Sequence, residues 1–118
     1  RSRGLGDVYK RQIVDLKAEQ FTRFVAKGNS VVLFSASWCK PCQDLKPVFH
    51  DLADKMHSRA SFARIDVAVS PTISQMYGIR SVPSLAIFHE GRLRLVLAGS
   101  RSVAALKKAI LAELKDVL

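Results

Sequence analysis

The chain has two cysteines, Cys39 and Cys42, and they stand two residues apart in Trp38-Cys39-Lys40-Pro41-Cys42. They follow the apolar run Val31-Val32-Leu33-Phe34, and a helical apolar pattern begins soon after them. A strand that delivers a thiol pair to the first turn of a helix is suited to thiol–disulfide exchange. The thiolate is the reactive species, and an unperturbed cysteine has a pKa of about 8.5. Unpaired backbone N–H groups and the helix dipole favour the anion at a helix N-terminus. Lys40 adds a positive charge acting in the same direction. Cys39, at the start of the turn, is the expected exposed nucleophile. Cys42, one turn along and facing inward, is the expected resolving thiol, which makes Cys39–Cys42 the redox disulfide. Pro41 stiffens the turn and withholds no N–H that a first helical turn would use.

A buried structural pair, or half of a zinc site, is the competing reading of a Cys-x-x-Cys pair. Zinc takes four ligands at close spacing, and the remaining donors are His50, His57, His89 and scattered carboxylates. None of the histidines forms a paired motif with the cysteines, so no metal is expected. All three read as surface residues.

The elements that must hold the thiols follow from periodicity. Ile13–Leu16 is a short strand, and residues 18–27 form a helix with Phe21, Phe24 and Val25 on one face and Gly28-Asn29 as its stop. Residues 30–35 have the continuous β-branched character of a strand buried on both faces. Leu45, Val48, Phe49, Leu52 and Met56 recur at helical spacing up to about His57, with Pro47 expected to kink the helix. Residues 61–66 read as a strand and residues 71–76 as a short helix. Gly78 is placed for a left-handed closing residue. Strands at residues 84–89 and 92–98 are separated by Glu90-Gly91, a tight-hairpin signal. Ser102 is the expected N-cap of a last helix striped by Val103, Leu106, Ile110, Leu114 and Val117. The order β-α-β-α-β-α-β-β-α implies an α/β fold, a central mixed sheet flanked by helices on both faces.

At 118 residues the chain is long enough for one domain with a real core. No apolar stretch approaches the roughly 20 residues that span a bilayer. Its formal charge is +9, but Arg1 to Gln12 does not read as the start of a domain. Asp7 to Gln12 resembles the translated end of a sequencing-library adaptor, and Ser2 to Gly6 continues the resemblance. Residues 1–12 are therefore set apart as a non-native segment, leaving residues 13–118 as the domain with 15 basic and 9 acidic residues. With the native start outside the sequence, the lack of a signal peptide says nothing about compartment. The remaining excess, such as Arg92 with Arg94 and Lys107 with Lys108, reads as a solvated face. No nucleic-acid motif accompanies it.

Residues 13–118 resemble the thioredoxin family over their whole length. The resemblance rests on Phe34-Ser35-Ala36-Ser37-Trp38-Cys39-Lys40-Pro41-Cys42, Pro47, Ile65-Asp66-Val67, Tyr77-Gly78-Ile79-Arg80-Ser81-Val82-Pro83-Ser84, Gly91 and Gly99. It implies the thioredoxin fold, with a cis Val82–Pro83 bond lying against the cysteines. It also implies a shallow groove around Cys39 bordered by Trp38, Lys40, Pro41, Ile79, Val82 and Gly99, in which the Val82 backbone pairs with an extended substrate segment.

Two departures from the family pattern stand out. A buried Asp usually lies six residues before the first cysteine, and here that position is Leu33. A Lys often lies four residues before the Asp that ends the third strand, and here that position is Phe62. Replacing both partners leaves neither charge unpaired. It also removes the carboxylate that the family uses to exchange the resolving thiol's proton. The residue between cysteine and proline, usually Gly, is Lys40.

The expected function is therefore reduction of protein disulfides through a Cys39/Cys42 dithiol and a mixed disulfide. The resemblance implies no cofactor, a thioredoxin reductase or another dithiol as reductant, disulfide-containing proteins as substrates, and a cytoplasmic monomer with no nucleic-acid or membrane partner. Two alternatives remain open. One is an extracytoplasmic oxidase or isomerase domain, whose usual Cys-x-His-Cys is absent here. The other is a thioredoxin-like interaction module with incidental redox activity.

Overall fold

The computed structural model describes residues 13–117. Residues 1–12, the segment set apart above, lie outside the described residues. The elements run β1 (Ile13–Leu16), α1 (Ala18–Val25), β2 (Asn29–Ser35), α2 (Lys40–Met56), β3 (Ser61–Asp66), α3 (Pro71–Met76), β4 (Ser84–His89), β5 (Arg92–Ala98) and α4 (Val103–Glu113). They match the pattern read from the sequence to within a residue or two, including the first turn of α2 with the cysteines, apart from the end of α4. The apolar stripe runs on to Val117, but the helix stops at Glu113 with Leu114 as its C-cap.

The five strands form one mixed sheet in the order β1-β3-β2-β4-β5. β2 is central, parallel to β3 and antiparallel to β4. Its side chains alternate between two separate apolar layers. Val31 and Leu33 pack into the layer under α2 and α4, with Phe49, Leu52, Phe62 and Ile110. Val32 and Phe34 pack into the layer under α1 and α3, with Phe21, Ile65, Ile73 and Phe88. In this second layer Phe21 meets Phe88 edge-on at 5.5 Å between centroids, and Tyr77 meets Phe88 at 5.1 Å. With both faces covered, β2 cannot slip by one residue without exposing one layer's contents to the other.

Local chemistry sets the ends of these elements. α1 begins where the Gln20 side chain accepts the Lys17 N–H at 2.9 Å, and Gly28 at φ +69° turns the chain into β2. α2 runs through Pro47 as a single helix although that residue cannot donate to the carbonyl one turn back. The β4–β5 hairpin turns on Glu90 and Gly91 at φ +50° and +84°, the left-handed pair that a two-residue turn requires. Glu90 also accepts the Gly28 N–H, tying the hairpin to the start of β2. Ser102 Oγ accepts the Ala105 N–H at 3.1 Å and caps α4 as expected. Arg94 Nε reaches Glu113 Oε2 at 3.1 Å, so this charge of the basic strand holds the end of α4.

One polar atom in this frame is unsupported. Ser30 is fully buried in β2, and its Oγ has no hydrogen-bond partner among the described residues. An uncompensated buried hydroxyl costs about 1–3 kcal/mol, and an apolar residue of similar shape avoids that cost. Ser30→Ala should raise the free energy of unfolding by about 1 kcal/mol, read from the urea midpoint. A lowered midpoint would show that the hydroxyl is satisfied after all.

Candidate functional site

The sheet's central strand ends at Ser35, and the chain crosses to α2 through Ala36-Ser37-Trp38. In that crossing the Cys39 N–H donates to the Ala36 carbonyl at 3.2 Å. Cys39 is the N-cap of α2: its backbone is extended, and its Sγ accepts the Cys42 N–H at 3.2 Å. A backbone N–H aimed at a sulfur from a helix N-terminus favours the anionic form of that sulfur. The two sulfurs are at bonding distance, with the Cα atoms 5.2 Å apart. Pro41 occupies the first turn without breaking the helix.

Both cysteines are more enclosed than the sequence alone implied. Cys39 is 5% exposed and Cys42 1%, so the expected order holds while Cys39 is nearly covered. The cause is a small apolar nest in which both sulfurs pack with Ala36, against Val67 and Val82. Trp38, by contrast, is 72% exposed and projects beside the pair.

The Val82–Pro83 bond is cis. Cys39 Sγ lies 3.8 Å from the Val82 carbonyl oxygen, which brings residues 43 positions apart together at the sulfur. Among the described residues, no backbone–backbone hydrogen bond engages either Val82 group. On the same side, Gly99 donates its N–H to the Pro83 carbonyl at 2.9 Å and takes φ +85°.

Of the residues expected to border the groove, Trp38, Ile79 and Val82 do line one, a depression of about 350 Å³ completed by Val67, Ser74, Arg80 and Ser81. Lys40, Pro41 and Gly99 are not in its lining. Lys40 instead reaches along α2 to Asp44, Nζ to Oδ1 at 2.7 Å. His89 lies at the far end of β2, its Nδ1 2.8 Å from Asn29 Oδ1. Among the described residues, no three His, Cys, Asp or Glu side chains converge so as to hold a metal ion.

The replaced charge pair is accounted for by packing. Leu33 and Phe62 are both buried in the α2–α4 layer, and Phe62 meets Phe49 edge-on at 5.7 Å. Polar character reappears at the sheet margin, where Arg64 Nε pairs with Asp15 Oδ1 at 3.0 Å.

This geometry has counterparts in known proteins. The Thioredoxin family model matches residues 12–112. The chain belongs to the thioredoxin family. A thioredoxin from Buchnera aphidicola subsp. Schizaphis graminum is 29% identical over 98 residues, 81% of this chain and 91% of that protein. A protein disulfide-isomerase like 2-2 from Arabidopsis thaliana is 30% identical over 108 residues. That match takes in 90% of this chain, but the chain spans only 24% of the relative's length. Among solved structures, a mutant thioredoxin from Halobacterium salinarum superposes with a TM-score of 0.78 at 29% identity, covering 86% of this chain and 89% of that one. The fold is the thioredoxin fold, and a Cys-x-x-Cys pair at disulfide distance within it supports thiol–disulfide oxidoreductase chemistry. Among the described residues, no helix is long and apolar enough to cross a membrane.

Sequence reasoning did not single out Gln43. Its Nε2 donates to the Ala36 carbonyl at 3.3 Å and the Ser37 carbonyl at 3.2 Å, clamping the crossing to α2. Its position directly after Cys42 was the only signal in the sequence, and an amide there reads equally well as a solvated helix residue. Gln43→Ala should lower stability by about 1 kcal/mol and increase the mobility of Trp38. That residue is the sole tryptophan, so fluorescence anisotropy reports on it without interference. Unchanged anisotropy would mean that the crossing holds itself.

Proposed function

We propose that residues 13–118 form a protein-disulfide reductase domain in which Cys39 is the nucleophile and Cys42 the resolving thiol. The observation that carries this reading is the Cys42 N–H donated to Cys39 Sγ at the head of α2. It singles out one sulfur of the pair for the anionic state, and that sulfur is the less buried of the two.

The reaction then runs in two exchanges. The Cys39 thiolate attacks one sulfur of a substrate disulfide, that S–S bond breaks, and the departing thiolate takes a proton. The Cys42 thiolate next attacks Cys39 Sγ, breaking the mixed disulfide and releasing the second substrate thiol. The substrate gains two electrons and two protons, and the Cys39–Cys42 disulfide holds the oxidation until an external dithiol or a thioredoxin reductase reverses it. Trp38, Ile79 and Val82 form the apolar bed for the substrate chain. The Val82 backbone, which has no backbone partner among the described residues, pairs with it, while Pro83 and Gly99 hold Val82 in place, and Lys40 and Pro41 shape the turn. No cofactor enters these steps. A reducing compartment such as the cytoplasm suits this direction. Helices covering both faces of the sheet suit a monomer.

The reading is tested by insulin reduction with dithiothreitol as the reset. The intact chain should accelerate precipitation, and a pure docking module would not. Cys42→Ser should accumulate a mixed disulfide with substrate, and Cys39→Ser should accumulate none. Trapping by Cys39→Ser alone would reverse the assignment.

The disulfide-isomerase relative favours a second reading, an oxidase or isomerase domain. Equilibration against a glutathione series separates the two. A potential near the thioredoxin value of about −270 mV supports the reductase, and one near about −180 mV supports the isomerase.

Leu33 determines how Cys42 loses its proton. Without a carboxylate beneath the pair, the proton goes to water or to the departing thiolate. Leu33→Asp should cost about 3 kcal/mol or more at neutral pH. Burial raises the new carboxyl's folded pKa above its unfolded value, so the penalty is smallest in acid and grows as pH rises. The folded variant should gain an extra ionisation in its pH–rate profile for disulfide reduction, and Leu33→Asn should not. An unchanged profile in Leu33→Asp would sink the proton-transfer argument.

A further inference from the structure

The groove beside Cys39 is lined by apolar side chains, two serines and one charge, and that charge is positive. Arg80 is exposed and lines the depression with Trp38, Ile79 and Val82, and among the described residues no acidic side chain lines it. A second exposed cation, Arg101, follows two residues after Gly99 in the chain, and the Gly99 N–H is bonded to the Pro83 carbonyl. Neither arginine has an ion-pair partner among the described residues. Lys40, outside the groove's lining, is paired with Asp44 at 2.7 Å. Among the described residues, the groove's own charge is therefore positive and has no ion-pair partner.

We propose that the groove selects disulfides flanked by acidic residues, a substrate class that rests on the reductase reading above. An extended segment rises roughly 3.3 Å per residue. When such a segment lies against the Val82 backbone, side chains within two residues of the attacked cysteine come within reach of Arg80 or Arg101. Arginine's planar fork suits a carboxylate, which it meets with two parallel hydrogen bonds. The apolar floor formed by Trp38, Ile79 and Val82 accepts the aliphatic part of a glutamate or a neighbouring apolar side chain. The charge excess of residues 13–118 has the same sign as the groove, so it steers acidic chains toward the sulfur before contact.

The test uses three peptides of equal length, each with one disulfide flanked by Glu, Gln or Lys, and compares kcat/KM with a dithiol reset. At about 0.01 M salt, where the screening length is about 30 Å, the Glu peptide should exceed the Gln peptide by about three- to tenfold, and the Lys peptide should be slowest. At about 1 M salt, where that length is about 3 Å, the three should converge. The ratio of Glu to Gln rates within one protein cancels any general loss of activity. It should fall toward one in the doubly substituted Arg80→Gln, Arg101→Gln protein. Equal rates at low salt would overturn the acidic preference, and a ratio that survives the double substitution would overturn its assignment to these arginines; either result leaves the reductase reading intact. If none of the three peptides were reduced, both would fall.

Discussion

The hydrogen bond from the Cys42 N–H to Cys39 Sγ is the interaction on which the rest of the molecule converges. It caps a helix, satisfying one of the four N–H groups that every helix start leaves open. The acceptor is a sulfur rather than the usual hydroxyl or carboxylate, so in the proposed mechanism the cap is also the nucleophile. For the bond to form, Cys39 must adopt an extended backbone immediately before a helical Lys40, and the turn from Ala36 must hold it there. Gln43 secures that turn from one side, and the Val82 segment closes over the sulfur from the other. Cys42, on the same helix, shares the enclosure but supplies the donor of this bond and not its acceptor.

The depth at which β2 is buried explains why such a small device can be precise. Its alternating side chains are divided between two apolar layers, so the position of Ser35, and with it the start of the crossing, is fixed by packing on both faces. β4 pairs with β2 on the opposite side from β3. Ser84 lies opposite Phe34 in that pairing, which brings the Val82–Pro83 segment back beside the cysteines. The site thus joins two segments that meet only because their strands are neighbours in the sheet.

That dependence also explains what the sequence could and could not reveal. Strands and helices were legible because their periodicities are local, and Glu90-Gly91 marked its hairpin because the turn demands a left-handed pair. The cysteine motif was legible because thiols carry their chemistry wherever they stand, whereas the cis bond at Pro83 was implied only by the family resemblance. The near-complete burial of Cys39 was not legible, since Ala36, Val67 and Val82 enclose it only after folding. Gln43's clamp and the isolation of Arg80's charge were hidden for the same reason: each depends on which other groups come near. The orphaned hydroxyl of Ser30 gives no sign in a run of residues that reads as an ordinary buried strand.

In the proposed mechanism, the apolar replacement at Leu33 and Phe62 changes the character of the second exchange more than the first. Cys39 has a backbone donor, and donation to sulfur requires no proton acceptor to be built into the core. Cys42 is 1% exposed in an apolar nest, and such surroundings disfavour a thiolate. A buried carboxylate beneath it would offer a base, but at the cost of a charge that must itself be paired. Here both partners of that pair are hydrocarbon, and the nearest ion pair in β3 lies out at the margin, between Arg64 and Asp15. The core gains packing, including the Phe49–Phe62 contact, and gives up a proton acceptor. The thiolate released in the first exchange then becomes the natural base, because it appears at the site just when Cys42 must be deprotonated. On that arrangement the substrate's own sulfur completes the catalytic set, and resolution is tied to the substrate that has just been bound.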